Sequence, residues 1–188
     1  MAKVKLNPIV EQVRGQVGQL VFRQSYGQQV IGRKADQSDH EPSAEQVEIR
    51  ERFRQAAVYG RVALADPAAR KLYEDASAKK GKPVFSMVMA DFLNAPSIDE
   101  VDVSEYTGAA GSSIFIRTED DFMIDTVTVN IADVNGAQLE SGPAALEPSG
   151  RFVYTATGTV PAGTNVRITV TATDRPGSAT VRDTNKTL

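Results

Sequence analysis

From about residue 96 onward, hydrophobic and polar positions alternate with a period of two. In Thr126–Ile131, Val127, Val129 and Ile131 fall on one face and Thr126, Thr128 and Asn130 on the other, the pattern of a half-buried strand. Val166, Ile168, Val170 and Ala172 repeat it against Arg167, Thr169, Thr171 and Thr173. Phe152 and Tyr154 supply large inward side chains on another strand. Ile98–Val103, Ser113–Arg117, Gln138–Glu140 and Ala179–Arg182 bring the total to about seven strands in about 90 residues, the size of a two-sheet sandwich. Asn135-Gly136, Pro161-Ala162-Gly163 and Pro176-Gly177 are the turn residues between them.

The period changes upstream. Met1–Asp36 reads as an extended arm in which Leu20-Val21-Phe22-Arg23 and Val30-Ile31-Gly32-Arg33 flank Ser25-Tyr26-Gly27, a hairpin with a glycine-containing loop. Gly15 and Gly18 are turn or bulge glycines. Nothing before them reads as the helix a nucleic-acid-clamping Gly-x-x-Gly loop requires, and no Gly-Lys-Ser/Thr follows to make a phosphate loop. Ser43 with Gln46 forms a capping box opening a first helix, with Ile49, Phe53, Ala56, Ala57, Gly60 and Leu64 on its apolar face. Asp66-Pro67 opens a second helix that stops at Gly81. A third, Pro83–Asn94, is apolar almost all round and is expected at the centre of the helical part. The expected organisation is an arm over 1–36, three helices over 37–95 and a sandwich over 96–188: an α+β N-terminal part, consisting of a β-hairpin arm and three helices, before an all-β domain.

Thr126-Val127-Thr128-Val129, Phe152-Val153-Tyr154-Thr155, Val160-Pro161-Ala162-Gly163-Thr164 and Thr171-Ala172-Thr173-Asp174-Arg175-Pro176-Gly177 together resemble bacterial immunoglobulin-like domains. The Cys-Trp-Cys core of antibody domains is missing. The resemblance covers about half of the chain and implies an immunoglobulin-like sandwich; such folds carry many functions. Arg14-Gly15-Gln16-Val17-Gly18 and the Gln46–Phe53 block resemble uncharacterised bacterial proteins with a glycine- and arginine-rich β-arm before a helical segment, and that likeness implies no activity.

Composition narrows the chemistry. The 188 residues include no cysteine, which excludes disulfides, thiol catalysis and cysteine-bound metal centres. No apolar run approaches the ~18 residues a membrane helix needs, and no Sec-type signal follows Met1, so a cytoplasmic location, or one on a particle or filament exported by another route, is expected. Residues 1–95 carry 15 basic against 11 acidic side chains and residues 96–188 carry 6 against 13. That split suits docking between halves or head-to-tail self-association. The arginines of the first helix alternate with glutamates, which favours a salt-bridged solvated face over a nucleic-acid stripe. The single histidine, His40, has no triad or metal-ligand spacing around it.

No nucleophile–base pair, metal-ligand spacing or cofactor loop is legible, so the expectation is a protein that is not an enzyme and has no cofactor. Asp99, Glu119, Asp120, Asp121 and Asp174 are expected at one end of the sandwich. Asp99, Asp120, Asp121 and Asp174 would suit calcium as hard oxygen ligands. The competing expectation is turn-capping acids facing Lys79, Lys80 and Lys82. Because a lone hairpin is marginal in water and leaves an open edge, Leu20, Val21, Phe22, Val30 and Ile31 are the candidate contact of a homo-oligomer or filament. The alternatives are a ligand- or glycan-binding module of a bacterial surface or virion-like particle, and a nucleic-acid accessory protein using the basic half.

Overall fold

The computed structural model describes residues 2–3, 13–25, 28–34 and 41–188; His40 and the Tyr26-Gly27 turn lie outside them. The chain forms two compact units, Met1–Ala44 and Glu45–Leu188. Residue 95, where a boundary was expected, lies inside the second unit, which holds both the helices and the sandwich.

The first unit is a four-stranded antiparallel sheet, larger than the expected hairpin. Its strands β1 (Ala2–Lys3), β2 (Gly15–Val17), β3 (Leu20–Ser25) and β4 (Gln28–Arg33) lie in the order β1-β4-β3-β2. Gly18, at φ +57°, makes the tight turn from β2 to β3 that a side-chain-bearing residue adopts at a cost. Gln29 ties down the start of β2: its amide donates to the carbonyls of Val13 and, at 3.2 Å, Arg23, and its Oε1 accepts from the Val13 N–H.

The second unit opens with α1 (Ala44–Ala65), α2 (Pro67–Lys80) and α3 (Val84–Leu93). Asp66 caps α2, its carboxylate accepting from the N–H groups of Ala68 and Ala69 at 3.2 Å each, and Gly81 ends it in the left-handed conformation, as the sequence predicts. α3 is the most buried helix: Met87, Val88, Met89 and Asp91 are all enclosed. α1 departs from expectation. Only Ala56 and Gly60 of its apolar face are buried, Gly60 lying so close to α3 that a Cβ would stand 3.0 Å from the Phe85 ring. Ile49 and Phe53 are 65% and 58% exposed. Length contributes: α1 has 22 residues and α3 has 10, about 33 Å against about 15 Å at 1.5 Å per residue, so α3 is too short to cover all of α1.

Eight strands form the sandwich: β5 (Ser97–Asp102), β6 (Ser113–Glu119), β7 (Ile124–Asp133), β8 (Gln138–Pro143), β9 (Ala145–Leu146), β10 (Phe152–Thr155), β11 (Asn165–Asp174) and β12 (Ala179–Thr187). They make two antiparallel sheets, β5-β6-β10-β9 and β12-β11-β7-β8. The alternation places Val127, Val129 and Ile131 against Ile168, Val170 and Ala172 by direct cross-strand pairing, and these pack on Ile98, Ile114, Ile116, Phe152 and Tyr154 of the other sheet in one core. The chain changes sheets between β8 and β9, immediately after Pro143, which has no N–H for the ladder. At the opposite margin Arg182 of β12 donates to the carbonyls of Ile98 (2.8 Å) and Asp99 (2.6 Å), and Lys186 donates to those of Val103 and Ser104. Two edge strands are thereby stitched across the sandwich, which blunts both edges.

Candidate functional site

Pairing register sorts the arm's side chains. Val17 pairs with Leu20 and Phe22 with Ile31, so these four apolar residues share one face; Val21 and Val30 lie on the other. Val30 is buried, Val21, Phe22 and Ile31 are half-buried, and Val17 and Leu20 are 68% and 46% exposed. The arm therefore has apolar side chains on both faces, with a contiguous Val17–Leu20–Phe22–Ile31 patch on one of them. Val17 had no place among the candidates, although its cross-strand neighbour Leu20 did. Only the pairing of β2, invisible to hydrophobic periodicity over three residues, puts it there.

In the second unit, helices and sandwich meet over a buried polar cluster. The Tyr73 hydroxyl donates to Asp91 Oδ2, and the Tyr59 hydroxyl lies 3.3 Å from that of Tyr73. The Tyr73 ring stacks on Phe122, from the β6–β7 turn, at 4.1 Å between centroids. Asp91 is fully enclosed and its Oδ1 has no hydrogen-bond partner among the described residues. Burial, then the negative charges of Asp120 and Asp174, push its pKa up to about 7 against the opposing effect of the Tyr73 hydrogen bond. Burial raises Asp174 as well and drives Tyr73 far up. Three carboxylates thus share one low-dielectric neighbourhood with Arg175 as the nearby cation.

A second buried carboxylate, Glu140 on β8, points the other way. Burial works to raise its pKa, but hydrogen bonds from the Thr157 N–H and hydroxyl and the Gly158 N–H, with Tyr154 beside it, outweigh that and hold it low. Gly158 lies beside the carboxylate, where a Cβ would be in ordinary contact 3.4 Å from Glu140 Oε2. This carboxylate pins the 156–158 segment to β8.

The sequence-predicted acids do different things. Asp120 Oδ2 accepts from the Phe122 and Met123 N–H groups, and Asp174 Oδ1 from those of Gly177 and Ser178, so both close turns. Asp121 takes Lys80 on its carbonyl and the Asn94 amide at 2.5 Å on its carboxylate. Asp120 is close enough to Asp174 for its charge to add to the burial that raises Asp174. Asp99 is the bulged residue of β5, bound to Ser97 at 3.0 Å through its carboxylate. Glu119, Asp120 and Asp121 line a cavity of about 240 Å³ with Asn94, Ala95 and Ser97. Among the described residues no three His, Asp or Glu side chains are arranged to hold a metal ion, and no helix is long and apolar enough to cross a membrane.

No protein-family model matches the chain, and no curated protein matches it. Among solved structures it is similar to CopC from Methylosinus trichosporium OB3b, at 12% identity and a TM-score of 0.36, over 48% of this chain and 89% of that one. It is similar to BhCBM56 at 15% identity and a TM-score of 0.34, over 50% and 89%, and to a DUF4426 family protein from Pseudomonas aeruginosa PAO1 at 14% and 0.33, over 50% and 87%. The likeness spans about half of this chain.

Proposed function

We propose that this is a non-enzymatic assembly protein that self-associates through its N-terminal arm, into an oligomer, filament or particle component, and displays an immunoglobulin-like sandwich. One observation carries the reading: the four-stranded arm has apolar side chains on both faces, and Val17 and Leu20 of one face are exposed. A stable domain has at least two layers around a core, and a second copy would supply one over this exposed patch. The opposite charges of the two halves of the chain favour a head-to-tail arrangement.

The immunoglobulin-like reading is supported by strand order. β5-β6-β10-β9 and β12-β11-β7-β8 follow the A-B-E-D and G-F-C arrangement of that fold, with β8 as an added strand. The non-enzymatic reading is supported by burial: Tyr73, Asp91, Tyr106 and Glu140 are at most 9% exposed, out of reach of a substrate. The reading gives the protein itself as partner and needs no cofactor, calcium included. Deleting residues 1–36 tests it. Assembly predicts a folded, soluble monomer; an arm that instead completes its own chain's core predicts a destabilised or insoluble product.

A further inference from the structure

Every residue of α1 from Ala44 to Gln55 is exposed, with Arg52 reaching the Leu93 carbonyl at 3.2 Å. An isolated helical segment of that length is marginal in water. On the side away from Ala56 and Gly60, positions 47, 51, 54, 58 and 62 follow the three-and-four spacing of one stripe: Val47, Glu51, Arg54, Val58 and Val62. Val47 and Val58 are 51% and 52% exposed, Val62 more so, and Glu51 and Arg54 pair at 2.5 Å between them.

We propose that this stripe is a self-complementary docking surface for the α1 helix of a second copy, packed antiparallel about a two-fold axis passing between Arg52 and Phe53. The order valine, acid, base, valine reads as its own partner when reversed. Val47 of one helix meets Val58 of the other, and Glu51 meets Arg54, in both halves of the contact, as a two-fold interface demands. A parallel pair in the same register would set Glu51 against Glu51 and Arg54 against Arg54, and like charges in register are unfavourable. The charges therefore select direction, and the valines supply the apolar contact. A helix overlap of about 28 Å buries less than the ~800 Å² per partner of a standard interface, so the contact is weak alone and acts as a second link in an assembly. It rests on α1 and not on the arm, and a two-fold contact of this kind would join copies side by side.

The absence of native cysteine makes residue-specific cross-linking clean. Full-length Val47→Cys and Val58→Cys chains, each substituted at an exposed position, are oxidised singly and as an equal mixture. The antiparallel pair predicts disulfide-linked dimers forming about tenfold faster in the mixture than in either protein alone, an effective-concentration effect. Glu51→Arg in both chains should abolish that preference and Glu51→Arg with Arg54→Glu should restore it. Equal rates in mixture and single proteins, faster self-linking of Val47→Cys, or no restoration by the charge reversal would overturn the proposal. Repeating the ratio with Leu20→Ser and Phe22→Ser separates the two contacts. A preference unchanged while the assembled mass falls supports both, and an unchanged mass counts against the arm alone.

Discussion

Replacing Asp91 by asparagine should remove the loss of stability that this carboxyl causes as pH rises. In the unfolded chain this carboxyl titrates near 3.8, and in the folded protein burial and the charges of Asp120 and Asp174 raise it to about 7. Between those values the native state binds the proton and the unfolded state does not, so stability is lost as pH rises from about 4 to about 7. Above that window the folded protein carries an enclosed, ionised carboxylate whose hydrogen bond among the described residues comes from Tyr73. The gap of about three pH units corresponds to about 4 kcal/mol at 1.36 kcal/mol per unit. The D91N side chain keeps a carbonyl to accept from Tyr73 and cannot ionise. Urea denaturation of both proteins from pH 4.5 to 8.5 isolates the effect of Asp91 and the groups coupled to it, because titrating groups distant from Asp91 cancel in the difference. The two should lie within about 1 kcal/mol of each other at pH 4.5, and D91N should be the more stable by about 2–4 kcal/mol at pH 8.5. Parallel curves across the window would refute the account of the cluster.

Gly108→Ala should cost about 2–4 kcal/mol, since Gly108 has φ +79° and a Cβ there would stand 2.8 Å from the Val160 carbonyl oxygen; chemical denaturation reads it. Glu140→Ala strips the Thr157 and Gly158 N–H groups of their acceptor, at about 2–4 kcal/mol, and should expose the 156–158 segment to faster amide exchange. Arg182→Ala should cost about 1–2 kcal/mol and, by freeing the β5 edge, raise the rate of aggregation on heating.

Much of the sandwich was legible because its alternation is local: Val127, Val129 and Ile131, and Val166 to Ala172, each announce a face within one strand. β9 was not, since two residues after a proline carry no period. The helix limits at Asp66-Pro67 and Gly81 were readable because caps are chemical signals at fixed positions. The face of α1 was readable, but how much of it is covered depends on the length of α3, a relation between elements that periodicity within α1 does not contain. The polar cluster was the least legible part. Asp91 sits in an otherwise apolar helix, and its partners Tyr73, Asp120 and Asp174 come from α2, a turn and the end of β11, joined only in three dimensions. Asp120 and Asp174 could be singled out as acids near one end of the sandwich, but not as the source of another carboxyl's raised pKa.

The most direct test of the central claim is sedimentation velocity on the full-length protein across a hundredfold concentration range at low salt, beside a Leu20→Ser/Phe22→Ser variant. Assembly through the arm predicts a weight-average mass that climbs with concentration for the native chain and stays at the 20.2 kDa of one copy for the variant, with the same far-ultraviolet spectrum from both. A native chain that remains a 20.2 kDa monomer throughout the range would contradict it.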